Sequence, residues 1–333
     1  MTVRALVGPC RLAVAHVATA MVVSVLVSSV AWGQSSPEVT DVSPDWTPPL
    51  TAWGAPDLQG VWDYRTMTPL QRPREFADQS VFTDEQAAAY QARTLEQQAD
   101  YDRSPSVHAK WWLDYGKELT DDNRTSLIVD PPTGRIPPTT EEARERSAAR
   151  AARRRAHPAD AAEYRSNSER CLTFGTPRLP GAYNNNYQIL QTPSHVVIVS
   201  EMIHDTRVVP LDGRPVLTSN VVQWHGDSRG RWEGNTLVVE SANYSIGGAF
   251  RGATEGLRLV ERFTRVGPDT IHYEITADDS ATWISPWTLM FPMVKTDQPM
   301  YEYACHEGNH GLENILGNVR FEDRTLRDPA PAR

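Results

Sequence analysis

The chain has 333 residues, with 33 Lys and Arg against 42 Asp and Glu, for a formal net charge of −9. That balance excludes nucleic-acid binding built on phosphate neutralisation, and the length accommodates one large domain or two modest ones. Beyond the N-terminal segment no apolar run is long enough to span a bilayer.

In residues 1–33 the only charges are Arg4 and Arg11, followed by an apolar run from Leu12 to Val30 and then Ala31-Trp32-Gly33. This is the pattern of a secretory signal peptide cut before Gln34. An uncleaved anchor is the rival reading, because the run is nearly long enough to cross a membrane. Cleavage places the mature protein in the periplasm or outside the cell, with no stable membrane insertion. Residues 34–52 are Pro- and Ser-rich and read as an extended linker. Residues 53–165 hold a first strand near Asp57–Asp63 and a helical segment. Thr83 caps a helix with Asp84 and Glu85 in its first turn, running to about Tyr101. A short strand, Ser126 to Asp130, ends at Pro131-Pro132. A second helix starts near Thr139-Thr140-Glu141-Glu142 and runs to Pro158, and its basic run Arg144 to Arg155 reads as a solvated face.

From Asn184 onward the pattern is β. Tyr187–Thr192, His195–Met202, Thr206–Leu211, Val221–His225, Arg231-Trp232 and Thr236–Ser241 read as short strands. Leu257–Val266 and Thr270–Thr276 flank the turn Gly267-Pro268-Asp269, and Trp287–Met293 and Met300–Cys305 flank Thr296-Asp297-Gln298-Pro299. Close strands without intervening helices pair antiparallel and close into a barrel or a sandwich. The alternation Leu257, Leu259, Glu261, Phe263 and Ile271, Tyr273, Ile275 gives each strand one apolar face. The expected fold is mainly β: an antiparallel, lipocalin-like barrel over residues 166–325, an N-terminal helical segment packed over part of it, and a disordered tail at 326–333. Gly60-x-Trp62 is similar to the lipocalin Gly-x-Trp signature.

The segments WGAPDLQGVWD (53–63), SLIVDPPTGRIP (126–137), ERCL (169–172), YNNNYQI (183–189), HDTR (204–207), GDSRGRWEGNTLVVE (226–240), ERFTRV (261–266) and YEYACHEGN (301–309) carry a wider resemblance. Across most of the mature chain they resemble a large group of secreted, largely uncharacterised proteins of environmental bacteria. The resemblance implies export and carries over no activity.

Cys10 leaves with the signal peptide, so Cys171 and Cys305 remain, and an oxidising compartment favours a disulfide between them. Closing so long a loop stabilises by up to roughly 5 kcal/mol on the chain-entropy model. Two buried free thiols are the other reading.

Two places set an imidazole beside a carboxylate, His204-Asp205 and His306-Glu307. Neighbours in a strand face opposite ways, so the expected pairs run across strands, His204 with Glu307 or His306 with Asp205. A His tuned by a carboxylate is the usual acid or base near neutral pH. Arg207 shares the Asp205 face, to stabilise an anionic group or pin that carboxylate. His204, His306 and His310 with Asp205 or Glu307 also suit a divalent metal. No established metal-binding spacing is present, so neither metal nor cofactor is expected. Gly226 to Gly234 lacks the context of a phosphate loop and reads as a tight turn, with Asp227 bonded to backbone and Arg229 or Arg231 paired to acids. Asn186, Tyr187, Trp224 and Tyr301 are the candidate ligand contacts, as polar or aromatic groups at strand entrances. Glu261, Arg262 and Glu274 put charge into apolar strands and need partners, most simply a structural ion pair.

Two functions stay open. One is an exported enzyme using a His–carboxylate pair on a small organic substrate, as a lyase, isomerase or hydrolase. The other is a non-catalytic barrel that binds a small ligand or glycan. The enzyme requires the two His-bearing segments to converge in one pocket.

Overall fold

The computed structural model describes residues 46–103, 113, 115–245, 247, 248 and 250–327. The expected signal peptide and most of the linker lie outside the described residues, as does the tail from 328.

Ten strands form one sheet: β1 (Gly60–Asp63), β2 (Ile128–Asp130), β3 (Asn186–Gln191), β4 (His195–Ser200), β5 (Thr206–Pro210), β6 (Asp227–Glu233), β7 (Thr236–Ala242), β8 (Arg258–Gly267), β9 (Thr270–Asp278) and β10 (Trp287–Thr296). Hydrogen-bonded neighbours run β5-β4-β3-β1-β10-β9-β8-β7-β6, every pair antiparallel, and β2 pairs with β10 beside that path. The early strand β1 thus joins two later meanders. β5 and β6, the two ends of the path, share no ladder but meet through side chains. A Cβ on Gly230 of β6 would lie 2.7 Å from Leu211 and 2.8 Å from Val209, an approach that only glycine permits. The sheet therefore curls into a nearly closed antiparallel barrel.

The pleat sends alternate residues inward. Leu259, Glu261 and Phe263 of β8, Ile271, Tyr273, Ile275 and Ala277 of β9, and Trp287, Leu289, Phe291 and Met293 of β10 are all essentially inaccessible. Rings fill the centre: Tyr273 lies 4.3 Å from Phe263, 5.2 Å from Phe291 and 6.1 Å from Tyr187, centroid to centroid. Burying each large apolar side chain contributes about 1.5–3 kcal/mol. These side chains pack together as one core inside the barrel.

One charged pair sits in that core. The Arg207 guanidinium of β5 forms a two-pronged ion pair with Glu261 of β8, one hydrogen bond at 2.8 Å, and the Tyr273 hydroxyl donates to the same carboxylate. This supplies the partner that Glu261 was expected to need. Arg262 points outward to Glu233 at 3.0 Å.

Among the described residues three α-helices accompany the barrel, α1 (Asp84–Arg103), α2 (Glu141–Ala156) and α3 (Gly311–Arg327). Thr83 and Gln86 cap α1 reciprocally: the Thr83 hydroxyl accepts from Gln86 N, and the Gln86 side chain accepts from Thr83 N. Thr140 caps α2 by accepting from Ala143 N. Among the described residues no helix is long and apolar enough to cross a membrane.

The C-terminal region departs from expectation. Residues 300–305 form no strand; β10 instead runs on to Thr296, and α3 occupies the end of the region expected as barrel and the start of that expected as tail. Within α3, Leu312, Ile315, Leu316 and Val319 recur at helical spacing. Residues 221–225 form no strand and pair through the bridge Gln223 to Tyr244, and Asp227–Glu233, expected within a tight turn, are strand β6. Within that segment Asp227 does accept from Leu217 N, and Arg231 does pair with Glu233 and Glu240. Cys171 and Cys305 form the disulfide, with 5.7 Å between their Cα atoms.

Glu261→Leu is expected to cost roughly 3–5 kcal/mol, because it strands the Arg207 charge in the core. The double variant Arg207→Met/Glu261→Leu should recover much of that loss. Urea unfolding of the three proteins measures it, and equal midpoints for the single and double variants would refute the role of the pair.

Candidate functional site

The site residues expected from sequence do not assemble as expected. His204 lies in a tight turn between β4 and β5 with a positive φ of 47° and is exposed; His306 and Glu307 are exposed in the turn before α3. Neither cross-pair, His204 with Glu307 or His306 with Asp205, forms. His310 approaches only Glu313, at 3.5 Å. Among the described residues no three His, Cys, Asp or Glu side chains group as metal ligands. Arg207 is closed off by Glu261, because a buried guanidinium is held by the nearest buried carboxylate rather than left for a substrate. Of the expected ligand contacts, Tyr187 is buried and Asn186 donates to Glu201 at 2.8 Å. Trp224 and Tyr301 are exposed.

What forms instead is a cleft at one end of the barrel. The strand registers place the start of β3, the turn from β4 to β5, the start of β6, the end of β7 and the start of β10 at the same end. Over it lies the segment 167–181, rich in Gly, Pro and Thr, which has no regular hydrogen-bond ladder of its own. Side chains from the barrel end hold it at successive points. Asp205 accepts from the Thr173 hydroxyl at 2.7 Å and from Phe174 N at 3.3 Å. His225 Nδ1 lies 3.2 Å from the Thr176 hydroxyl. The Tyr187 hydroxyl accepts from Arg178 N at 2.6 Å, and the Asn185 amide grips both the N–H and the carbonyl of Gly181 at 2.8 and 3.0 Å. The disulfide secures the same segment at Cys171. A loop lacking secondary structure is ordered in this way by buried side chains that satisfy its backbone.

The facing wall is the connection after β7. Gly247 and Gly248 pass against Trp224, where a Cβ on Gly248 would fall 2.1 Å from the Trp224 carbonyl oxygen. Phe250 then stacks on the buried Trp287 with 5.9 Å between ring centroids. Arg251 takes a positive φ of 52°. Between the two walls is a cleft of about 510 Å³, whose lining includes Thr173, Phe174, Arg178, Leu179, Phe250 and Arg251. That volume lies within the range of small-molecule sites.

A His–carboxylate pair does exist at this end, but with a different histidine. His225 Nε2 lies 3.4 Å from Asp205 Oδ1. Burial lowers the His225 pKa, attraction to Asp205 offsets part of this, and Arg207 adds to the lowering. Burial likewise raises the Asp205 pKa, countered by the hydrogen bond from Thr173 and by the nearby His225 and His204. Both ring nitrogens of His225 face fixed groups, Thr176 and Asp205. The pair braces the wall of the cleft and does not line it.

Sequence reasoning missed His225, Thr173, Thr176, Arg178 and Arg251. The run Thr173-Phe174-Gly175-Thr176-Pro177-Arg178 was legible as a loop, but nothing in it signals contact with residues more than 30 positions away. No family model matches the chain, and no curated protein shows significant similarity to it.

The depressed His225 pKa fixes the sign of a pH effect. Below its ordinary value of 6.5 the unfolded chain binds more protons at this residue than the folded chain does. The contribution of His225 is therefore present above 6.5 and is lost as the pH falls through its folded value. Asp205, raised above 3.8, has the opposite slope: its contribution is present below 3.8 and fades as the pH rises. Replacing His225 with Gln isolates the first effect. The stability advantage of the wild type over His225→Gln should grow as pH rises from about 5 to about 7 and then level off. A difference that stays constant across that window, measured by thermal unfolding, would remove the pair from the account.

Proposed function

We propose that the protein is an exported, lipocalin-like binding protein that holds a small molecule in the cleft at the barrel end, without catalysis. The observation that carries this reading is the built cleft. Its walls are positioned by Asp205, His225, Tyr187 and Asn185 through hydrogen bonds to the backbone or side chains of one loop. Such sites are concave, partly apolar and pre-formed, with a few placed polar groups. The acid–base alternative needs a titratable group free to meet a substrate. His204 and His306 stand apart in exposed turns, and His225 has both nitrogens engaged. The N-terminal segment and the disulfide support export, since such bonds persist in oxidising compartments. The difference from a carrier of the lipocalin plan is location: the barrel is filled, so the ligand sits at its mouth.

A thermal-shift screen tests this. Ligand at 100 times its Kd stabilises a protein by about 2.7 kcal/mol. Compounds that stabilise the wild type should lose that effect in Ser168→Trp, which fills the cleft, and keep it in His306→Ala. Turnover of a hit that is abolished by His306→Ala or His204→Ala would instead establish the acid–base reading.

A further inference from the structure

The cleft is charged, and its charge has one sign. Arg178 and Arg251 both line it, and no Asp or Glu does. This stands out in a chain whose formal net charge is −9. Several arginines elsewhere are tied to carboxylates, among them Arg65 to Asp63, Arg124 to Asp122, Arg214 to Asp212, Arg229 to Asp227 and Arg231 to Glu240. Arg178 and Arg251 have no such partner among the described residues.

The two are held differently. Arg178 has its guanidinium carbon 4.5 Å from the centre of the Phe174 ring, so its plane is steadied by an aromatic wall. Its Nε–H is buried and has no acceptor. Arg251 projects from a tight turn in a left-handed backbone conformation that few non-glycine residues adopt. Arg251 is exposed at the cleft mouth, and partial desolvation in the turn lowers its pKa. A strained backbone and an uncompensated cation cost stability together, and such costs collect at ligand sites. Nearby, Arg150 of α2 reaches to 4.0 Å from the place a Cβ on Gly252 would occupy, so a third guanidinium borders the turn.

Asn167 donates to the Gly247 carbonyl, and the rest of the lining is mostly apolar or small. Phe174, Leu179 and Phe250 offer apolar surface, and Gly175 leaves open space where a side chain would begin. A guanidinium presents N–H donors in a planar fork matched to carboxylate and phosphate oxygens. We propose that the ligand is a small organic anion, with an aryl or alkyl body against Phe174, Leu179 and Phe250 and its acid group between Arg178 and Arg251. The class includes carboxylates and the chemically similar monoesters of phosphate or sulfate. This deepens the ligand-binding reading above and rests on it.

The test uses the full mature chain and isothermal titration. The probes are 4-phenylbutyrate, decanoate, phenyl phosphate and phenyl sulfate, each paired with its neutral amide or alcohol. The expected result is that at least one anion binds at least tenfold more tightly than its neutral partner. That preference should fall at least tenfold in Arg251→Gln and in Arg178→Gln, weaken with added salt, and be partly kept in Arg251→Lys. Arg251 is exposed at the cleft mouth, so its variant should fold normally; an unchanged melting temperature checks this. Whether carboxylate or monoester binds better separates the two sources of charge. Neutral partners that bind as tightly as the anions, and that are blocked by Ser168→Trp, would overturn the anion class and leave the ligand-binding reading intact. No binding by any probe at millimolar concentration would overturn both.

Discussion

The ion pair between Arg207 and Glu261 is the interaction on which the barrel depends. β5 and β6 close the sheet without hydrogen-bonding to each other, so backbone pairing alone leaves a seam. Arg207 stands on one side of that seam, and Glu261, on β8, belongs to the other side. Their contact crosses the interior and links the two ends of the path. Two charges in a dry core are stable only when their geometry is good and other donors help. The two-pronged contact and the Tyr273 hydroxyl meet that requirement. Gly230 completes the closure by letting Val209 and Leu211 lie directly against β6.

A filled interior has a consequence for function. Rings from β3, β8, β9 and β10 occupy the centre, and the charged pair takes the remaining polar position. The cleft lies instead at the barrel end, where loops meet. Loops are poor scaffolds unless something rigid positions them. Here the strand ends supply that rigidity, since Asp205, Tyr187 and His225 each hold the segment 167–181 at a different point. The disulfide adds a covalent tie between this loop and the segment before α3. Of the polar groups that look catalytic in sequence, Asp205 and Arg207 are thus engaged in support.

The fold was more legible than the site, for physical reasons that show in particular residues. Alternation in β8 and β9 reads directly from Leu259, Phe263, Ile271 and Tyr273, because a pleated strand buries every second side chain. The turn Gly234-Asn235 reads as a hairpin because its residues tolerate positive φ, and Gly234 has a φ of 58°. Helix α3 was missed because the region to residue 325 read as barrel, although Leu312, Ile315, Leu316 and Val319 recur at helical spacing. At the site, Asp205 was found but its partner was not. Adjacent residues His204 and Asp205 diverge in space, and the histidine that meets Asp205 lies 20 positions later, before a different strand.

By itself the sequence determined most of the strand pattern, the antiparallel class, the pairing of Cys171 with Cys305 and the need of Glu261 for a partner. These follow from local periodicity, chain chemistry and the cost of burying charge, all of which act residue by residue. Only the tertiary structure decided that Arg207 is that partner, that His225 and not His306 faces Asp205, and that Arg178 and Arg251 share a cleft without a carboxylate. Those facts depend on how strands distant in the chain are ordered around the barrel, and side-chain pairing across such distances leaves no local trace in a single sequence.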